Sequence, residues 1–376
     1  MYFLNGERVY IQPEITCKSF DEQIQSCLQQ LAQLNPEQKL FKLNFFAETN
    51  SKQEYISMLE KVVIETSKNI DSPVVLSLLA QPPLASQIMV EACYYDPKEW
   101  DVEFFGKENG GAALFKKNST SILIGNAQSY HYSECRQDAE QAFSLLTNIL
   151  SDAAFPINSI VRQWNYIENI LGFDGENQRY QQFNNVRSKA YGNTFSEKGY
   201  PSATGIGMNQ GGILIEFVAI KSNEFVTIPI DNPKQISAHT YSENVLVGDD
   251  CSLKTTPKFE RARYMELFGK KLVFVSGTAS IVGERTVGAG DPIEQTRVTI
   301  SNMEQLYSNG ALKEVANYNL RPKFGHVRVY IKNKSDFIDI KKTFESHFGN
   351  LPVVYIVADI CRENLLVEIE GKVILE

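Results

Sequence analysis

The chain has 376 residues, of which 43% are hydrophobic and 22% charged, with a formal net charge of −8. This length allows two or three ordinary domains, and the acidic balance argues against nucleic acid or an anionic membrane surface as the main partner. No stretch approaches the roughly 18 uninterrupted apolar residues of a membrane span. The N-terminal "MYFLNGERVYIQPEI" has no basic segment followed by an apolar run, so no signal peptide is expected and the chain reads as cytoplasmic. Its 6 cysteines and 4 histidines are scattered, with no CxxC pair and no ligand spacing, which fits reduced thiols and no metal. There is no Walker motif, and no GxGxxG follows a strand, so no cofactor is expected.

In chain order, "YFLNGERVYI" reads as a hairpin with an Asn-Gly turn. "FDEQIQSCLQQLAQL" reads as a helix, "LFKLNFFA" as a strand and "SKQEYISMLEKVVIETSKN" as a second helix. The strands "SPVVLSLLAQ" and "QIMVEACYY" close this block. "KEWDVEFFGKENGG" (98–111) reads as a connection. The order then repeats: strand "STSILIGNAQ" (119–128), helix "DAEQAFSLLTNILSDAAF" (138–155), strand "SIVRQWNYIENI" (159–170), helix "ENQRYQQFNNVRSKAYG" (176–192), and strands "SATGIGM" and "GILIEFVAI". After a polar, turn-rich stretch it repeats once more. Strand "KKLVFVSGTASIVG" (270–283), helix "PIEQTRVTISNMEQLYSNG" (292–310) and strand "HVRVYIKN" (326–333) come first. A helix over 334–349 follows, with Ser335 as cap and Gly349 as stop, then "LPVVYIVADIC" and "NLLVEIEGKVIL" around a polar turn.

This periodicity predicts a mixed α/β (α+β) fold of three modules: 1–108, 112–222 and 258–376, with 223–257 as a linker. The three closing strands carry a glutamate in a matching place: Glu91, Glu216 and Glu368.

The third module resembles the RidA/YjgF family through "KFERA", "LVFVSGTAS", "VRVYIKNKSDFIDIKKTFESHFG" and "LLVEIEG". That family forms trimers with pockets between subunits. The resemblance therefore implies a pseudo-trimeric barrel within one polypeptide, helices outside, and a monomer. The chain departs from the family's imine deaminases, which place an Arg at a "P-x-R" strand start; here the starts read "PVVL", "PSAT" and "PVVY". From about residue 110 onward the chain is more similar to the chorismatases, once called pteridine-dependent dioxygenase-like proteins. The segments are "RYQQFNNVRSKAYG", "GYPSATGIG", "VSGTASIVG" and "CRENLLVEIEG". Chorismatases remove the enolpyruvyl group of chorismate as pyruvate, so the resemblance implies chorismate as the small-molecule substrate and no cofactor.

Two antiparallel strands joined by the turn 362–365 would place Cys361 and Glu368 as diagonal neighbours, although a one-residue slip would separate them. A carboxyl on a mostly apolar face loses hydration, its pKa rises, and it can stay protonated as a general acid. With the resemblance, Glu368 becomes the proton donor to the enolpyruvyl methylene. The resemblance also makes position 361 the one that separates product types, a cysteine matching members that form hydroxybenzoate; 3-hydroxybenzoate is the expected aromatic product. The hydrolytic alternative gives 3,4-dihydroxycyclohexa-1,5-diene carboxylate. The two carboxylates of chorismate need cations and hydrogen-bond donors. The candidates are Arg261, Arg179, Arg187, Tyr180, Tyr200 and Thr204, with Ser280 near the ring. Arg297 reads as a surface residue. An imine or enamine deaminase and a non-catalytic binder of aromatic acids are the other readings.

Overall fold

The computed structural model describes residues 8–34, 37–84, 86–107, 109–242, 246, 254–313 and 321–376. The Asn-Gly turn expected at residues 5–6 lies outside them, as does Cys251.

The first sheet is built from β1 (Arg8–Ile11), β2 (Lys39–Ala47), β3 (Val75–Leu79) and β4 (Ile88–Tyr95), with α1 (Phe20–Gln33) and α2 (Lys52–Asn69) between strands. A capping box starts α1: Ser19 Oγ accepts from the Glu22 amide, and the Glu22 carboxylate accepts from the Ser19 amide. The second sheet takes β5 (Asp101–Lys107), β6 (Gly110–Lys117), β7 (Thr120–Ser129), β8 (Ile160–Glu168), β11 (Ser202–Met208) and β12 (Ile213–Lys221). Helix α3 (Cys135–Asp152) precedes β8. The ribbon of β9 (Phe173–Asp174) and β10 (Asn177–Gln178) leads into α4 (Arg179–Tyr191). The third sheet takes β13 (Val226–Ile230), β14 (Ala262–Leu267), β15 (Lys270–Ala279), β18 (Pro322–Ile331), β19 (Val353–Val357) and β20 (Val367–Leu375). Between these strands run the ribbon of β16 (Ile281–Val282) and β17 (Arg285–Thr286), then α5 (Pro292–Leu306), α6 (Asn309–Leu312) and α7 (Phe337–Phe348).

A four-strand order recurs: β1-β4-β2-β3, β7-β12-β8-β11 and β15-β20-β18-β19. In each, the closing strand inserts antiparallel beside the middle strand, and a helical crossover makes the last pair parallel. The three parallel edges meet at their ends. The Asn209 amide donates to the Ala80 carbonyl at 2.8 Å, Gly207 to Asp359 at 2.8 Å, and Val357 to Pro82 at 2.9 Å. One apolar cluster joins residues from all three sheets, including Phe46, Tyr166 and Tyr330. A second lies under α3 and α4, and a third under α5 and α7.

Several expectations need correction. The segment 98–111, expected as a connection, supplies β5 and the start of β6 as an edge hairpin, because Val102, Phe104 and Phe105 find apolar cover there. The stretch 223–257 is not only a linker: β13 pairs with β14 in the third sheet. Ser335 does not cap α7, since a tight 3-10 turn at Lys334–Asp336 moves the helix start to Phe337; Gly349 does end it, at φ 70°. Finally, 359–361 and 366–368 do not form a hairpin. β18 lies between β19 and β20, because the crossover through α7 returns the chain parallel to β18 and β20 then takes its other edge.

Candidate active site

Strand register sets the site. Glu91 lies across from Asn44, two residues along from Lys42. Glu216 lies across from Trp164, two along from Arg162. Glu368 lies across from Tyr330, two along from Arg328. Three carboxyl groups thus occupy one register position on three closing strands, but their surroundings differ.

Glu91 binds Arg328 from the third sheet through Nη2 at 2.7 Å and Nε at 3.0 Å. Burial alone would raise its pKa, but the guanidiniums of Arg328 and Arg8 outweigh that and hold it down at about 2. Glu216 binds Lys42 of the first sheet at 2.9 Å and accepts from Ser77 Oγ at 2.8 Å. Glu368 has no ion pair and no side-chain hydrogen bond among the described residues, and is 4% exposed. Burial, and then the charge of Glu370, push its pKa up to about 8; Arg162 and Arg261 act in the opposite direction without cancelling this. A neutral carboxylic acid at pH 7 results.

A cleft of about 710 Å³ opens between α4 of the second sheet and the 361–364 loop of the third. Tyr180, Asn184, Tyr241, Cys361 and Arg362 are among its walls. Glu368 is set back from this open part and lies within electrostatic reach of both Cys361 and Tyr180. The Cys361 thiol is pushed up to about 12 by burial and by the Glu368 carboxylate, so it is not a thiolate at neutral pH. Burial also raises Tyr180, which stays a phenol.

Two buried guanidiniums, Arg261 within electrostatic reach of Glu368 and Arg187 within reach of Tyr180, lack a carboxylate partner among the described residues. Arg187, 1% exposed, donates from Nη2 to Asn184 Oδ1 at 2.6 Å and lies 5.3 Å from the Phe183 ring centroid; its Nε has no partner among the described residues. Arg261, 5% exposed, donates from Nη2 to the Ile236 carbonyl at 2.8 Å and to Tyr241 Oη at 2.5 Å; its Nε also has no partner among the described residues. A buried unpaired cation is costly, so such a pair marks a place for anions.

The remaining candidates divide. Tyr200 stacks on Tyr191 at 6.2 Å and contacts His239, at the Arg187 side of the cluster. Thr204 is next to the acid but its hydroxyl is committed: it accepts from Arg162 at 2.7 Å and from the Gly277 amide at 3.0 Å, and donates to Glu370. It therefore has no proton left for a ligand carboxylate. Arg179 is drawn away from the cleft by Asp174 at 2.6 Å and by the Glu168 and Ser133 carbonyls, so it fastens the β9–β10 ribbon. Ser280 donates to the Val287 carbonyl at 2.7 Å and closes the turn after β15. Reasoning from the sequence missed Tyr241, Arg362, Arg162 and Glu370. The signal for the last two was present: a charged residue on each of two strands otherwise read as core.

Residues 106–219 match the family model described as chorismatase FkbO/Hyg5-like, N-terminal. A 3-hydroxybenzoate synthase of Streptomyces hygroscopicus is 32% identical over 231 residues, 58% of this chain and 64% of that protein. A chorismatase of the same organism is 30% identical over 247 residues, 62% of this chain and 67% of the relative. The chain thus spans just under two thirds of the length of the first relative. A chorismatase crystal structure superposes with a TM-score of 0.73, covering 98% of both chains at 21% identity, which shows the shared fold. With the four-strand order and the family match in agreement, the chain belongs to the chorismatase family.

Proposed function

We propose that this chain releases pyruvate from chorismate and leaves 3-hydroxybenzoate. One observation carries the reading: a buried, neutral carboxylic acid, Glu368, lies within electrostatic reach of the buried guanidinium of Arg261, and Tyr180 lies within reach of both Glu368 and the buried guanidinium of Arg187; neither arginine has a carboxylate partner among the described residues. Chorismate is a dicarboxylate with an acid-labile enol ether, and each of these groups has a counterpart on it.

In this reading Arg187 and Arg261 take the two carboxylates, with Tyr200 and Tyr241 lining their side. Glu368 gives its proton to the enolpyruvyl methylene carbon. The oxocarbenium ion so formed is the leaving group: the ring C3–O bond breaks as the C4 hydroxyl oxygen attacks C3 and returns its proton to the Glu368 carboxylate, and pyruvate keeps the ether oxygen. The resulting epoxide opens at its C4–O bond, the oxygen takes up a proton as C3 loses its hydrogen, and the ring becomes aromatic with the hydroxyl on C3. The dry setting keeps the acid protonated until that moment. The two products together contain the atoms of chorismate, so no co-reactant is required; the hydrolytic outcome would consume one water. Cys361, as a neutral thiol at the wall of the cleft, guides the ring toward the aromatic product. The choice of 3-hydroxybenzoate as product is supported by the 3-hydroxybenzoate synthase relative.

We read the three sheets as modules of a pseudo-trimer spanning 1–108, 112–222 and 258–376, acting as a monomer in the cytoplasm. The ring of ion pairs between sheets supports the pseudo-symmetry. No helix among the described residues is long and apolar enough to cross a membrane. The test is incubation of the purified chain with chorismate, an assay for pyruvate, and chromatography of the ring product. Pyruvate with 3-hydroxybenzoate is expected. Pyruvate with the diene diol acid would move the assignment to the hydrolytic subtype, and no pyruvate would remove it.

A further inference from the structure

The buried ion pairs between sheets run in a cycle that is irregular at one point. Glu216 of the second sheet holds Lys42 of the first, and Glu91 of the first holds Arg328 of the third. Continued around, the cycle assigns Arg162 of the second sheet to Glu368. Arg162 instead binds Glu370 through Nη2. Glu370 stands two residues beyond Glu368 on the same face of β20, where the first and second sheets have Cys93 and Val218. It is saturated: besides Arg162 it accepts from Thr204 Oγ1, from Trp164 Nε1 at 2.9 Å, from Tyr330 Oη at 3.1 Å and from Arg328 Nη1 at 3.3 Å.

We propose that Glu370 is a positioning residue that captures Arg162 and so keeps Glu368 without a cation partner, as a protonated acid. This rests on Glu368 being the proton donor. The groups facing Glu368 are Glu370 on its own strand, Tyr330 on β18, Arg162 on β8, Arg261 before β14, Tyr180 on α4 and Cys361 in the loop before β20. Glu370 distinguishes Glu368 from its two ion-paired counterparts in two ways, by its hold on Arg162 and by its own like charge two residues away. Arg162 Nη1 has no partner among the described residues, so this guanidinium has capacity for another carboxylate.

The test is an infrared titration of the carboxyl C=O band that disappears in Glu368→Gln, with Glu370→Gln and Glu370→Asp beside the wild type. Gln keeps the shape of the side chain but not its charge, so it both removes the repulsion of Glu370 on Glu368 and releases Arg162 to Glu368. The Glu368 band should then ionise at least about one pH unit lower, a tenfold loss of proton affinity. The alkaline limb of pyruvate release should move with it. Asp keeps the charge and should restore the wild-type midpoint, which a merely structural role would not require. An unshifted band in folded Glu370→Gln overturns the proposal. So does a wild-type Glu368 midpoint in the ordinary carboxylate range, a result that needs no variant of Glu370 to fold. The titration uses no substrate. A shifted band without pyruvate from the wild type would keep this inference and remove the chorismate reading; pyruvate release with an unshifted band would do the reverse.

Discussion

Gly277 faces Glu368 so closely that a Cβ at position 277 would stand 2.0 Å from Glu368 Oε1 and 3.1 Å from Thr204 Cγ2. The space for the acid therefore depends on a residue without a side chain, at the point where β15 shifts register against β20. Gly277→Ala must push the carboxyl aside. The stability cost should be modest, about 1–3 kcal/mol for overpacking. Pyruvate release should fall much further, by on the order of a hundredfold, as expected for a displaced general acid. Thermal unfolding and turnover measured on the same preparation check this.

Glu368 also leaves a signature in stability. Its pKa in the folded chain is raised to about 8 from an ordinary value of 4.5. Between those limits the folded state holds a proton that the unfolded state has released, so stability falls as pH rises, by up to about 1.4 kcal/mol per pH unit. Below pH 4.5 the contribution is complete; above about 8 it is lost. Glu368→Gln should flatten this slope and be more stable than the wild type near pH 8, while losing turnover by on the order of 10²–10⁴. Denaturant unfolding at several pH values reads the first effect.

Arg187 and Arg261 should behave unlike ordinary buried arginines. Neither has a carboxylate partner among the described residues, so replacement by Met removes an uncompensated charge instead of orphaning one. Stability should hold or rise in Arg261→Met and Arg187→Met. The KM for chorismate should rise by on the order of thirtyfold to a thousandfold, the cost of about 2–4 kcal/mol of charge-assisted contact. A drop in melting temperature with unchanged KM would assign both residues to the scaffold.

Lys42 gives the contrasting case. Lys42→Met leaves the fully buried Glu216 carboxylate without its cation, at a cost of about 3–5 kcal/mol. The site in the third sheet does not use it, so turnover per folded molecule should stay close to wild type below the new melting point.

Most of the architecture was legible in the sequence because each block repeats strand and helix periods in a fixed order, bounded by residues such as Ser19, Ser51 and Gly349 that act locally. The inward glutamates were legible too, as charges inside apolar alternation. What the sequence hid was long-range. The pairing of β20 with β18 and β15 instead of with β19 depends on crossover geometry, which a local turn such as 362–365 does not reveal. Arg179 and Arg187 lie on one helix, yet Asp174 takes the first and no carboxylate among the described residues takes the second. Likewise, the capture of Arg162 by Glu370 joins residues 208 apart.

The most direct measurement is the pH profile of pyruvate release from chorismate by the wild type and by Glu368→Gln. Turnover should be present at neutral pH, decline as pH rises through about 8 as Glu368 ionises, and be nearly absent at every pH in the variant. A variant as active as the wild type, or a profile flat through pH 8 to 10, would contradict the role given to Glu368.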